Sequence, residues 1–202
     1  MTGQQEGVVK YDLDFTAAPA PPQDTLTTLI RWRRTLFDHG LIGQQPDRYD
    51  GLGYGNVSQR HPHGFLISGT QTSGIRELAA DGFSLVTDWD LGHNRLTATG
   101  PSPPSSEALS HAAVYDAGQH INFVLHVHST ELWHAARRSS VACTPEFVDY
   151  GTPAMARAVA RIVAQAADPD LLVMGGHQDG LIAFGSQLPE TARLLLTLEE
   201  SA

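Results

Sequence analysis

The chain has 202 residues with 13 Lys and Arg against 22 Asp and Glu, a formal charge of −9, which argues against a nucleic-acid surface. Its 41% hydrophobic and 17% charged residues fit one well-buried globular domain or two small ones, and no apolar run approaches the ~20 residues that span a bilayer. The single cysteine, Cys143, allows no intrachain disulfide and fits a reducing compartment, and "MTGQQEGVVKYDLDF" lacks the apolar core of a signal peptide, so the sequence reads as cytoplasmic.

In chain order, residues 1–23 end in the Pro/Ala-rich "TAAPAPPQ" and read as an N-terminal arm or linker, within which "VVKYDLDF" alternates enough to add an edge strand. A helix follows, with Asp24 or Thr25 as its N-cap, Leu26, Leu29, Ile30, Trp32 and Leu36 on its apolar side, and Gly40 just past its end. "GLGYGNVSQR" and "GFLISGTQTSG" read as two short strands with glycine-rich ends, and "FSLVTDWD" and "RLTATG" as a pair joined by the turn "LGHN". "PSSEALSHAAVYDAG" predicts a helix starting at Ser105 or Ser106 and ending at Gly118. Next come the strand "FVLHVHS", a short helix "ELWHAARR", and the helix "PAMARAVARIVAQAA" with Pro153 in its first turn. "LLVMGG" and "GLIAFG" read as buried strands, and "PETARLLLTLEE" as the closing helix. One α/β domain over residues 24–202 accounts for all of this, and the closely spaced strand pairs imply much antiparallel pairing.

Within "FVLHVHS", side chains alternate faces, so His126 and His128 point the same way. Two neutral imidazoles on one face suit a divalent metal; they equally suit two hydrogen-bonded core histidines. Ten histidines in 202 residues make about half an HxH expected by chance. A second one, His61-Pro62-His63, is a loop. "PPSSE" puts Ser105, Ser106 and Glu107 at a helix start, which is either an anion site or an ordinary cap with an acidic first turn. "GGHQDG" puts His177 between glycines after a strand, either as a ligand or as a polar strand tip. "GYGNVS" and "ISGTQTSG" offer small and hydroxylic loop residues, suited to a phosphate or simply to hairpin ends.

Taken in order, "GNVS", "FLIS", "PSSE", "HVH", "GTP" opening a helix and a glycine-flanked histidine resemble the class II aldolase/adducin family, over residues 24–198. The resemblance implies a single three-layer α/β/α domain with a central, largely antiparallel sheet, assembled as a homotetramer. It also implies a divalent metal ion, zinc above all, on His126, His128 and His177, with Glu107 as the catalytic carboxylate. Asn56, Gly69, Thr70, Ser105 and Ser106 match positions that hold a substrate phosphate, and His111 matches a family histidine read here as structural. The implied activity is a lyase, aldolase- or dehydratase-like, acting on a small hydroxy-carbonyl compound such as a sugar phosphate or sugar acid through a metal-stabilised enediolate. A glutamate rather than an aspartate at 107 leans toward C–C or C–O cleavage over epimerisation. The alternative is a non-catalytic, adducin-like oligomerising domain; retention of the three histidines and Glu107 favours the enzyme.

Two features depart from the family pattern. The stretch between His128 and "YGTP" is shorter than in the sugar-phosphate aldolases, and the missing part is where those enzymes carry a tyrosine acid used by the neighbouring subunit; nothing in the motif transfers that role to Tyr150. The third histidine is followed by Gln178 and Asp179 before its glycine, residues that either line the pocket or widen a turn. The glycine-rich loop also fits in two registers, Gly69-Thr70 and Ser73-Gly74.

Overall fold

The computed structural model describes residues 7–201; residues 1–6 of the expected arm, and residue 202, lie outside the described residues. The first half of the chain forms β1 (Asp12–Ala17), α1 (Gln23–Asp38), β2 (Gly43–Gln44), β3 (Gly53–Tyr54), β4 (Asn56–His61), β5 (Gly64–Ser68), β6 (Phe83–Asp90) and β7 (Arg95–Gly100). The second half forms α2 (Ala108–Ala117), β8 (Phe123–His128), α3 (Thr130–Arg138), β9 (Ala142–Cys143), α4 (Pro153–Val163), β10 (Asp170–Val173), β11 (Gly180–Gly185) and α5 (Leu188–Ser201). Nine strands make one sheet in the order β1-β7-β6-β5-β4-β8-β11-β10-β9, and β2 and β3 make a small separate ribbon. The large sheet is antiparallel except at its two ends, where β1 runs parallel to β7 and β9 parallel to β10. The expected edge strand therefore forms, at Asp12–Ala17.

Alternation along the central strands sorts side chains into two cores. Val124 of β8 and Ile182 and Phe184 of β11 pack under α2 and α4. Leu125 and Val127 of β8 and Leu181 and Ala183 of β11 pack instead with α1, α3 and α5. These are the three layers that the sequence implies. Because His126 and His128 share the parity of Val124, they face the α2/α4 side. Helix α2 is buried from Ala108 to Tyr115, with Ala108, Ala112 and Ala113 letting it lie close between the sheet and α4.

Helix starts differ in detail from the expectation. Pro22, not Asp24 or Thr25, precedes the first turn of α1. Asp24 sits inside that turn and its carboxylate accepts the Thr25 N–H at 2.9 Å. Helix α2 begins at Ala108 and not at Ser105 or Ser106: residues 105–107 form a turn in which the Ala108 N–H donates to the Ser105 carbonyl, and Glu107 takes the cap position. Helix α4 stops at Val163, short of "AQAA". The two-residue strands β2 and β9 are too short to carry a periodic signal, and the sequence does not predict them.

Arg33 on α1 looks in sequence like part of a solvated "RWRR" face, yet it is only 1% exposed. Its Nη1 donates to the Ile75 carbonyl at 2.7 Å and its Nη2 to the Thr72 carbonyl at 2.9 Å, with longer contacts to Arg76 and Ser73. Burial pulls the guanidinium down to about 10, still charged at neutral pH. One buried cation thus gathers the carbonyls of the loop that follows β5, satisfying groups that would each cost roughly 1–3 kcal/mol if left buried and unpaired.

Candidate metal centre

His126, His128 and His177 converge, their ligating nitrogens all within 4.8 Å of one another, and all three rings are buried. The first two come from one face of β8. The third comes from the connection between β10 and β11, closed by His177 N–H to Met174 carbonyl at 3.1 Å and Gly180 N–H to His177 carbonyl at 3.0 Å. Gly180 lies directly opposite His128 in the β8–β11 register. A Cβ there would come 2.7 Å from the His177 ring and 3.3 Å from the His126 ring, so glycine is what lets the three imidazoles meet.

The donor set fits a divalent ion. His126 Nδ1 faces the Leu181 carbonyl at 3.0 Å, an acceptor that fixes the proton on Nδ1 and turns the Nε2 lone pair inward. His126 Nε2 and His128 Nε2 are 3.0 Å apart, close to the ~3.3 Å edge of a tetrahedron with ~2.05 Å metal–nitrogen bonds. Burial lowers all three imidazoles, His126 to about 4 and His128 and His177 well below the usual range. At neutral pH they are the neutral form that a metal requires. His111 is equally buried but is tied elsewhere, its Nδ1 2.6 Å from Ser58 Oγ, which in turn meets Tyr115 Oη at 2.8 Å. His61 and His63 face each other at 5.6 Å between rings, and exposed His134 packs on Trp133; none of these is in the cluster.

Glu107 starts α2 on the face toward which His126 and His128 point, and it is 1% exposed. Its Oε2 accepts the Ser110 hydroxyl at 2.7 Å, and its Oε1 is buried with no hydrogen-bond partner among the described residues. Burial pushes the carboxyl up to about 7, against the opposing pulls of the Ser110 hydroxyl and the Lys10 ammonium. Desolvation therefore outweighs the hydroxyl and the ammonium that favour the carboxylate. Such a group both holds and releases a proton near neutrality.

The residues expected to hold a phosphate lie around the same place. Asn56 sits directly opposite His126 in the β4–β8 register, is 6% exposed, and its Oδ1 is buried without a partner among the described residues. Ser105 and Ser106 are buried in the turn before α2. The amides of Gly69 and Thr70 are engaged, with the Gly82 and Pro103 carbonyls at 2.8 and 2.9 Å. That register therefore offers the Thr70 hydroxyl rather than its backbone. Two carbonyls of the other register's loop, those of Thr72 and Ser73, are turned to Arg33.

Reading the sequence alone misses two contributors to the site. The N-terminal segment brings the Tyr11 hydroxyl to the Ser105 carbonyl at 2.8 Å and the Lys10 ammonium 3.4 Å above the Tyr150 ring, which packs on His177 at 4.4 Å. The loop between β2 and β3 brings Tyr49 edge-on to His128 at 5.1 Å, and the Tyr49 hydroxyl donates to Asp179 Oδ2 at 2.8 Å. The alternation in "VVKYDLDF" is the only local signal for the first; the inserted Asp179 is the only one for the second.

These buried imidazoles make the metal-free protein acid-labile. An unfolded histidine titrates near 6.5, whereas His111, His126, His128 and His177 do so far lower when folded. Below about pH 6.5 the unfolded chain binds more protons, so stability present above that pH falls as pH drops toward 4. Glu107, raised when folded, opposes this by one proton. With four imidazoles lowered against one carboxyl raised, the net effect is a loss of stability on acidification. Urea unfolding of chelator-treated protein between pH 7 and 5 checks this; a flat profile contradicts it.

Residues 46–202 match the family described as Class II Aldolase and Adducin N-terminal domain. No curated protein sequence matches the chain. Among solved structures it resembles L-fuculose-1-phosphate aldolase from Thermus thermophilus, at 22% identity over 87% of this chain and 89% of that one, with a TM-score of 0.63. It resembles a second L-fuculose 1-phosphate aldolase at 19% identity, 90% and 84% coverage and a TM-score of 0.66. YgbL from Escherichia coli stands at 21%, 88% and 86%, with a TM-score of 0.62. At these identities the likeness establishes the fold.

Proposed function

The chain belongs to the class II aldolase and adducin family, and from that premise we propose that it is a divalent-metal-dependent lyase, aldolase- or dehydratase-like, for a small hydroxy-carbonyl compound such as a sugar phosphate or sugar acid. The observation that carries the reading is the buried set of three neutral imidazoles, His126, His128 and His177, on the sheet face where Glu107 opens α2. These histidines would hold the ion, for which zinc is the proposal. Three protein nitrogens leave positions for substrate oxygens, the pattern of a catalytic rather than a structural site. Bound there, the ion supplies Lewis acidity that stabilises negative charge developing on a substrate carbonyl oxygen.

The chain's own residues do the rest. Glu107, with one carboxylate oxygen anchored by Ser110 and the other uncommitted among the described residues, takes or gives the proton. Asn56, Thr70, Ser105 and Ser106, with the loop at Gly69, hold the anionic end of the substrate and so fix its reacting carbons. Burial of the triad keeps bulk water from competing. The homotetramer belongs to the proposal as well, supported by Phe147, which stands 87% exposed near the shortened segment after His128. No helix among the described residues is long and apolar enough to cross a membrane; a cytoplasmic location is part of the proposal.

A screen of sugar phosphates and sugar acids tests the reading, with each compound offered to zinc-loaded and chelator-stripped protein. Cleavage or dehydration of at least one, only with metal, is expected. Turnover that survives complete stripping contradicts it, and a chain that takes up no metal and is inert to every compound favours the adducin-like alternative.

A further inference from the structure

Among the described residues, positive φ outside glycine occurs at Tyr49, Asp50, Gln71, Asn94 and Asp179, and three of these five meet at one spot: Tyr49 at 49°, Asp50 at 57° and Asp179 at 64°. A bulky aromatic residue in the left-handed region is unusual and persists only where its surroundings hold it there. Here a chain of hydrogen bonds does so. Arg48 Nη2 donates to Tyr49 Oη at 2.8 Å, and Tyr49 Oη donates to Asp179 Oδ2 at 2.8 Å. The direction follows from the guanidinium, which only donates, so the phenol turns its own hydrogen toward the carboxylate oxygen. Arg48 also lies over the rings of Tyr49 and Tyr54, at 5.0 and 4.7 Å, and both rings rest on His128, at 5.1 and 5.9 Å.

The chain of bonds ends on the Asp179 carboxylate, and it meets two of the three imidazoles by other means, through ring contacts at His128 and through the backbone at His177. Its rings press on His128. Its carboxylate belongs to Asp179, 4% exposed and two residues beyond His177 in the tight connection to β11. Tyr49 and Asp179 lie 130 residues apart in sequence, so their bond fastens the loop between β2 and β3 to the segment carrying the third imidazole. The Ser129 N–H, next to His128, donates to the Asp179 carbonyl at 3.0 Å and closes the circuit.

We infer that Arg48, Tyr49 and Asp179 form a positioning relay that sets how His177 and His128 face one another, and so tunes the affinity and geometry of the divalent ion. The inference rests on the metal-binding reading of the triad. Partners outside the ligand shell typically change metal affinity by roughly 10–100-fold when lost. Tyr49→Phe keeps both ring contacts and removes only the hydroxyl that Asp179 accepts. Asp179→Asn keeps the shape and weakens the acceptor.

The test titrates the chelator-stripped full chain with Co²⁺, reading the visible absorption of the bound ion and its affinity by chelator competition. The expected result for either variant is a shifted absorption band and roughly 10–100-fold weaker binding. If Tyr49→Phe does not fold, Asp179→Asn carries the test. Wild-type band and affinity in the variants overturn the relay, even if their thermal midpoints fall, because that marks these residues as scaffold alone. A wild-type chain that binds no Co²⁺ overturns the relay together with the reading it rests on, which tells the two failures apart.

Discussion

Replacing any one of His126, His128 or His177 with Ala strips most of the bound divalent metal, while His134→Ala and His61→Ala leave it in place. Two ligands come from β8 and the third from the connection leading into β11, and the register of these two strands is set by packing on both faces, not by the imidazoles. Val124, Leu125 and Val127 hold β8, and Leu181 and Ile182 hold β11, so the fold survives loss of one ring. The cost to folding is that of a small cavity and, for His126, of one hydrogen bond to the Leu181 carbonyl, about 0.5–1.5 kcal/mol. The cost to metal binding exceeds the roughly 10–100-fold that outer partners carry, because a direct bond is lost. His134 is exposed on α3 and His61 faces His63, so neither reaches the site. Metal analysis of each variant after dialysis reads the result directly. If His134→Ala empties the site and His177→Ala does not, the third ligand is misassigned.

Glu107→Gln keeps near wild-type metal content and loses turnover by roughly 10²–10⁴-fold, the size of a lost general acid–base. The amide fills the same space and its oxygen still accepts the Ser110 hydroxyl that now sits 2.7 Å away. What it cannot do is exchange a proton. Burial already raises the Glu107 carboxyl to about 7, toward the range in which a carboxyl can serve as acid as well as base. Among the described residues the ligating cluster is the three histidines without Glu107, which is why metal content should hold. Once a substrate is known, its affinity should move less than its turnover. Full activity in Glu107→Gln, or metal loss as complete as in His126→Ala, overturns this assignment.

Much of this site is legible in the sequence because its signals are local. Two histidines at i and i+2 on an apolar strand must share a face, and "PSSE" before an alternating helical run marks a helix start. What escapes is carried by contacts between distant segments. Arg33 sits in a run of charges that resembles a solvated face, and only the loop folding back on it, about forty residues on, makes it a buried clamp. Tyr49 lies in a loop with no periodicity, and its bond to Asp179 spans 130 residues. The inserted Gln178-Asp179 leaves pocket and turn both open in sequence; the structure makes Asp179 part of a turn whose side chain is also anchored beside the imidazoles. The start of α2 slips from Ser105 to Ala108 because serines read as caps, whereas the chain turns once more before the helix begins.

The measurement that bears most directly on the central claim is the metal content of the purified wild-type chain, by elemental mass spectrometry after reconstitution with Zn²⁺ and removal of the excess. The account predicts close to one tightly held ion per chain, released on acidification through the window in which the buried histidines must protonate. A chain that folds normally, keeps its triad and Glu107, and retains no ion would contradict it.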